Sequence, residues 1–318
     1  MIKNLPFDVK NIIILYMYSL KELCKQKWTI DFITNNKYNL DKYCLYELCK
    51  HKWAFEFIKC LQLDKWSWYE LSHKKYALEF IKSNYIKEKE IDEDCLYKLC
   101  EYEWALEFIK ENKESLDNYC WKILCEHRWA FKFIKENKEK LDIWCLYKLC
   151  EHEWAFEFIK ENKEKLDRCC WEILCKKRWA FEFIKENKEK LDRYCWGILC
   201  KYEWNFGFIK ENKESLDRYC WGILCKYEWN LEFIKENKEN LDRWCIFELC
   251  EHEWAFEFIK NNQSKDIETY VCCLYKLCKY EWAFEFIKKN KKILNKISWE
   301  ELSSKEWAFK FVKENYTK

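Results

Sequence analysis

Cysteine supplies the first candidate chemistry in this chain: 22 of its 318 residues are Cys, most of them in pairs five positions apart. Cys44 and Cys49, Cys95 and Cys100, Cys120 and Cys125, Cys145 and Cys150, and Cys170 and Cys175 belong to a series that runs on to Cys273 and Cys278. A thiolate is both a soft metal ligand and a redox nucleophile, so a metal array and a redox array are the two chemistries to weigh. Spacing speaks against the first. Five residues of α-helix turn through about 140°, so two such thiols do not converge on one ion, whereas structural zinc sites gather ligands through C-x(2–4)-C spacing. Stacked units could bring thiols of neighbours together, but nothing in the spacing requires it. Two units also replace the pair outright, with Ser67 and Ser72 in one and Ser298 and Ser303 in the last. Small size survives that exchange and thiolate chemistry does not. The cysteines read as small core groups, reduced in a reducing compartment, with no metal and no cofactor expected.

Histidine offers less. Four of the five, His51, His127, His152 and His252, share one column, which elsewhere reads Tyr102, Lys177, Tyr202 and Tyr227. A ligand or general base would not change chemistry so freely along one array. His73 lies off that column beside Ser72, with no third member in sequence reach. Three glycines (Gly197, Gly207, Gly222) cannot build a phosphate-cradling loop. The expectation is a protein that is not an enzyme.

The elements that carry these residues repeat. An aromatic opens each unit at Trp28, Trp53, Tyr76, Trp104, Trp129, Trp154, Trp179, Trp204, Trp229, Trp254, Trp282 and Trp307, at intervals of 25 with a few of 23 or 28. A fixed period outranks any local motif as a guide to fold. In one unit, Trp154, Ala155, Phe158 and Ile159 share one side of a helix, Phe156 lies on its flank, and Glu157, Lys160 and Glu161 face away. Asn162 to Lys165 should turn the chain, and Asp167 should cap a second helix carrying Cys170, Trp171, Ile173, Leu174 and Cys175. Helices of about 8 to 12 residues do not persist alone in water. Stacking the hairpins would bury their apolar faces in a common core. The expected fold is therefore all-α, an α-solenoid of stacked short helical hairpins. Residues 1–27 should form an N-terminal helical cap leading into the first repeat, and residues 28–318 one continuous repeat array. The 28-residue intervals place extra residues at Asn84 to Ile91 and Asn262 to Tyr270, between the first and second helices.

Composition narrows the function classes. With 58 basic and 56 acidic side chains the net charge is +2, not the basic excess of a polyanion binder. Trp121, Trp171, Trp196 and Trp221 could stack bases beside Arg168, Arg193, Arg218 and Arg243, but that basic column reads Lys42, Asn118 and Ile143 elsewhere. Core packing accounts better for the tryptophans, and a nucleic-acid partner is not expected. The longest N-terminal apolar stretch, Ile12 to Tyr18, is far short of a bilayer span and lacks a signal-peptide cleavage pattern. No membrane partner is expected, and the expected location is intracellular.

The opening MIKNLPFDVKNIIILYMY stands outside the regular copies. Pro6 suits a first helical turn, with Val9, Ile12, Ile13 and Tyr16 on one apolar face. That face would close the open end of the stack against Leu23, Trp28 and Phe32. Leu5, Pro6, Asp8, Val9, Ile12 and Ile13 also resemble the start of an F-box, which docks onto an adaptor of ubiquitin ligases. That resemblance implies adaptor docking through Leu5, Pro6, Val9, Ile12 and Ile13, with the repeats recruiting a substrate. The repeats, in the pattern WAFEFIKENKEKLD, resemble the short tandem α-helical repeats of proteins from giant DNA viruses of amoebae. Leu71-Ser72 and Leu302-Ser303 keep the style of those arrays, while the proline common in their first helix is absent here. The resemblance implies a viral origin, and with it a location in a host cytoplasm with virion association the alternative; it implies a repeat scaffold and carries no activity. The leading functional expectation is a protein–protein interaction scaffold recognising a host or viral protein, through Glu157, Lys160, Glu161 and their equivalents and the Arg168, Arg193, Arg218 and Arg243 column.

Overall fold

The computed structural model describes residues 19–85, 93–261 and 267–316, and among them every regular element is helical. The chain is an all-α helical-repeat protein of the α-solenoid type, and it divides into two compact units, Met1–Lys165 and Leu166–Lys318. Within each unit, successive second helices pack side by side.

The hairpin is finer-grained than its sequence suggests. In the first unit, a 3-10 turn Glu103–Ala105 runs into an α-helix Leu106–Glu111; a second 3-10 turn, Lys113–Ser115, precedes the second helix, Asn118–Leu124. The same order recurs in the second unit as Glu203–Asn205, Phe206–Glu211, Lys213–Ser215 and Arg218–Leu224. These α-helices are shorter than expected because 3-10 bonds tighten both their ends. His127 N–H donates to the Leu124 carbonyl at 3.0 Å, and Ala130 N–H to the His127 carbonyl at 3.1 Å. Seven or fewer helical residues hold only through tertiary packing.

Local chemistry fixes each end. The second helix starts at an aspartate whose carboxylate accepts from the backbone N–H three residues on: Asp117 from Cys120 at 2.8 Å and Asp217 from Cys220 at 3.0 Å. The first helix ends at an asparagine whose Nδ2 donates to the carbonyl four residues back, as Asn137 does to Phe133 and Asn237 to Phe233, each at 2.8 Å. Its Oδ1 then accepts from a lysine of the preceding repeat, Lys113 for Asn137 at 3.3 Å and Lys213 for Asn237 at 3.2 Å. No described residue has positive φ. Turns built from αR and extended residues need no glycine, which is why three suffice.

The core is aromatic and interlocked between repeats. The second-helix tryptophan lies on the first-helix phenylalanine of the next repeat: Trp121 on Phe133 at 5.1 Å, Trp196 on Phe208 at 5.3 Å and Trp221 on Phe233 at 5.2 Å, all near parallel. Ala155, Phe158 and Ile159 are buried as their spacing predicts, but Trp154 is only half-buried. The opening tryptophan sits in the 3-10 turn, edge-on to a phenylalanine of the preceding repeat (Phe131 to Trp154, 5.0 Å). Leu20–Leu23, capped by Ser19, takes the position of a second helix ahead of Trp28. The cap and adaptor-docking residues Leu5, Pro6, Val9, Ile12 and Ile13 lie outside the described residues.

Candidate functional site

Two columns of side chains concentrate the chemistry. One is an exposed aromatic ridge on the second helices, two residues after the aspartate cap. Asp41, Asp64, Asp117 and Asp142 fix the N-termini of their helices, and so place Tyr43, Trp66, Tyr119 and Trp144 at equivalent points on the outer face. Those rings are 56%, 59%, 67% and 58% exposed. Large apolar side chains left this open at equivalent positions make a candidate contact surface.

Neighbouring rings wall clefts between repeats. Tyr119 and Trp144 bound a cleft of about 430 Å³ whose lining includes Asn118, Lys122 and Asp142. Tyr43 and Trp66 bound another of about 400 Å³, with Lys42, Tyr46, Asp64 and Tyr69. Lys122 sits 5.9 Å from the Trp144 ring, and Lys42 5.2 Å from Tyr43, so each cleft joins an aromatic wall to a cation.

In the second unit the ridge folds down. A Cβ at Gly222 would lie 1.9 Å from the Trp244 ring, and one at Gly197 2.6 Å from Tyr219. The two glycines make room for these rings to lie on the preceding helix. Trp244 is accordingly 36% exposed, and it lies 6.4 Å from Tyr219 with the ring planes 4° apart.

The expected interaction residues are placed as follows. Glu157 and Glu161 are exposed, while Lys160 pairs with Glu157 at 2.6 Å and covers the Phe156 ring at 5.0 Å. Equivalent pairs, such as Lys110 with Glu107 and Lys235 with Glu232, each at 2.7 Å, make this face electrostatically self-satisfied. Arg168 is held by Glu172 at 2.7 Å and Asp192 at 3.0 Å while lying 3.8 Å from the Tyr194 ring centre. Arg193 donates to the Tyr194 hydroxyl, Arg218 is exposed, and Arg243 pairs with Glu268 at 3.5 Å. Trp121, Trp171, Trp196 and Trp221 are buried, so the tryptophans weighed as base-stacking groups are core instead. The exposed rings one helical step away were not singled out in sequence. Their signal was variability: the same position reads Asp94, Cys169 and Ile297 elsewhere, as a surface position does.

The second column is the cysteines. None of the 22 is disulfide-bonded, and those of the regular pairs are buried. Within a repeat the two thiols diverge, as the helical rotation requires. Between repeats they act on one another: the second cysteine of one unit is pushed up in part by the first of the next. The pairs are Cys24 with Cys44, Cys100 with Cys120 and Cys125 with Cys145 in the first unit. In the second they are Cys175 with Cys195, Cys200 with Cys220, Cys225 with Cys245 and Cys250 with Cys273. Where serine interrupts the series, the Ser67 hydroxyl is buried and finds no hydrogen-bond partner among the described residues. Interaction with the partner thiol and then burial push Cys100, Cys175 and Cys225 far above the ordinary thiol range. Burial alone leads for Cys49 and Cys278, each pushed up to about 12. Cys273 goes the other way, held down first by its contact with Cys250 and further by Arg243.

The histidine column has a packing explanation. His127 stacks on Trp129 at 5.1 Å and His252 on Trp254 at 5.0 Å, as Tyr202 does on Trp204 at 5.6 Å. A flat ring suits the position, so histidine and tyrosine interchange, and Lys177 shows that a ring is not required. His73 Nδ1 lies 3.0 Å from the Tyr69 carbonyl. Among the described residues no three His, Cys, Asp or Glu side chains gather as a metal site, and no helix is long and apolar enough to cross a membrane.

Fold and surface together define a repetitive helical scaffold. No family model, curated protein or solved structure matches the chain.

Proposed function

We propose that the chain is a non-enzymatic protein-interaction scaffold of viral origin whose docking surface is the aromatic ridge of the second helices. The observation that carries this reading is the register of Tyr43, Trp66, Tyr119 and Trp144, all more than half exposed. The occupant is an extended segment of a protein partner. Its apolar side chains enter the clefts between repeats, and its carboxylates meet Lys42 and Lys122. Aromatic rings of this kind are the usual energetic centres of protein interfaces. The first-helix face of Glu157 and Lys160 is a weaker candidate, because its charges already neutralise one another.

A photo-crosslinking side chain placed at Tyr119 or Trp144 in expressing cells tests the site. One protein species should be captured from both positions and not from Glu157. Capture from Glu157 alone, or none from the ridge, overturns it. Capture of RNA would instead favour single-strand binding, for which the stacking of Arg168 on Tyr194 speaks. The adaptor reading rests on Leu5, Pro6, Val9, Ile12 and Ile13; deleting residues 1–18 removes a ubiquitin-ligase partner if it holds and leaves the ridge partner bound.

A further inference from the structure

Given the ridge as the docking surface, a reading on which the following rests, the spacing of its rings restricts the segment that can lie along it. In the first unit the second helices Lys42–Cys49, Lys65–Leu71, Glu93–Leu99, Asn118–Leu124 and Ile143–Leu149 pack side by side in that order. Their outward column reads Tyr43, Trp66, Asp94, Tyr119 and Trp144, all exposed. We propose that the occupant is a proline-rich, acidic segment in the polyproline II conformation, whose period of three residues sets a proline in each ring-walled cleft.

The interval between helices selects the conformation. Packed helices lie about 8–10 Å apart, so a guest running across them must present the same face at about that step. A β-strand does so at two or four residues, about 6.6 or 13 Å. An α-helix comes back to one face at seven residues, about 10.5 Å. Polyproline II has three residues per turn and rises about 3.1 Å per residue, so its face recurs at about 9.3 Å. Only that last step falls inside the range. The Tyr43–Trp66 and Tyr119–Trp144 clefts are three helix steps apart. Three steps amount to about 24–30 Å, and nine residues of polyproline II cover about 28 Å.

Backbone chemistry agrees. Every regular element among the described residues is helical, so the ridge offers no strand edge. A β-strand lying there would leave its N–H groups without a ladder. Polyproline II needs none, because it makes no internal hydrogen bonds and proline has no N–H to satisfy. Its carbonyls still accept, and the indole N–H of Trp66 and Trp144 and the hydroxyls of Tyr43 and Tyr119 are donors of the right kind. The conformation is also preformed, so little chain entropy is lost when it docks on aromatic rings.

Charge sets the remaining residues of the guest. Lys21 and Lys42 lie 5.7 and 5.2 Å from the Tyr43 ring centre, and Lys122 lies 5.9 Å from that of Trp144. No ion pair engages these three lysines among the described residues, whereas Asp94 is already held by Lys65 at 2.6 Å. Asp64 and Asp142 also line the clefts, but each is committed to capping its own helix. The cations are therefore free to meet carboxylates, and glutamates beside the docked prolines supply them.

The test uses the full chain and fluorescein-labelled peptides, read by fluorescence anisotropy. Four Pro-Pro-Glu triplets should bind at least about tenfold more tightly than six Val-Glu pairs, which carry the wrong period. Two Pro-Pro-Glu triplets, too short to span both clefts, should also bind at least about tenfold more weakly. Trp66→Ala and Trp144→Ala should each weaken the longer triplet peptide by about tenfold. Reversing the cations, Lys42→Glu with Lys122→Glu, should cost a similar factor and transfer the preference to four Pro-Pro-Lys triplets, a gain that a misfolded variant could not show. Equal binding of the Val-Glu peptide, lost in Trp66→Ala, overturns the polyproline conformation and leaves the ridge as the docking surface. Triplet binding that survives both tryptophan variants overturns the proposal, and so does the absence of binding. The ridge itself stands or falls separately, on the crosslinks from Tyr119 and Trp144.

Discussion

Replacing Gly222 by alanine sets two sizeable effects against each other. The new Cβ would stand 1.9 Å from the Trp244 ring, a separation no pair of carbons sustains. The obstacle is the face of a surface ring and not backbone, so the indole can swing out. Trp144, whose preceding repeat carries Lys122 where Gly222 would be, shows the destination: 58% exposed, against 36% for Trp244. Raising the exposure of a ~250 Å² side chain by that difference uncovers about 55 Å², or about 1.4 kcal/mol at ~25 cal/mol per Å². Alanine regains about 0.8–1 kcal/mol of helix propensity over glycine. Gly222→Ala should therefore change stability by no more than about 0.5–1 kcal/mol while moving the ring and opening a cleft like that at Trp144. Urea unfolding followed by far-UV circular dichroism measures the first effect. Fluorotryptophan NMR, with the resonance assigned through Trp244→Phe, measures the second. Gly207→Ala is the control, since nothing lies within 4 Å of its Cβ position, and it should gain up to about 1 kcal/mol. A loss above about 3 kcal/mol in Gly222→Ala with the Trp244 resonance unmoved would falsify the reasoning, because it would mean the ring is locked in a core that cannot yield.

Asn137→Ala should cost about 1–2 kcal/mol in the same unfolding assay, since it strips a buried 2.8 Å bond from the Phe133 carbonyl and the Lys113 contact; an unchanged midpoint would show the clip to be idle. Cys175→Ser should lose less than about 1 kcal/mol, because a serine there can donate to the carbonyl four residues back as Ser72 does to Trp68 at 3.0 Å; a larger loss would mean the hydroxyl finds no acceptor. The Asp41 carboxyl is held below its ordinary range, first by the Cys44 backbone N–H, so its cap contributes fully above the unfolded value near ~3.9 and is lost as pH falls through the lower folded value. Asp41→Asn should keep the cap, as Asn295 does for Ser298 at 2.8 Å, and flatten that part of the acid-unfolding curve; an unaltered acid limb would assign the dependence to other carboxylates.

Period and patterning carried the fold because each repeat solves the same burial problem. Ala155, Phe158 and Ile159 followed helical spacing into the core, and Asp117 and Asp217 capped where an acidic residue precedes an apolar run. Trp154 did not follow. Helical spacing assumes 100° per residue from the first position, and a 3-10 turn rotates the opening tryptophan away from that face. The influence of one repeat's thiol on the next was hidden for another reason. Spacing along one helix gives the angle between Cys170 and Cys175, but which thiol acts on Cys175 depends on the offset between neighbouring helices, and only packing sets that. The ridge was hidden because Tyr119 and Trp121 are both aromatic and differ only in the direction they point.

The ordinary backbone of the turns bears on how such a chain changes length. With no described residue in the left-handed region, no junction depends on a particular residue being preserved there. The surface a repeat offers its successor is the one it accepts from its predecessor: Trp196 meets Phe208 as Trp221 meets Phe233. A unit duplicated in frame by unequal recombination would thus dock against its own twin at once, and a deleted one would leave two mating surfaces behind. Nearly identical coding segments are where such recombination starts, so repeat number is the most readily inherited variable of this protein, and with it the number of ring-walled clefts along the ridge.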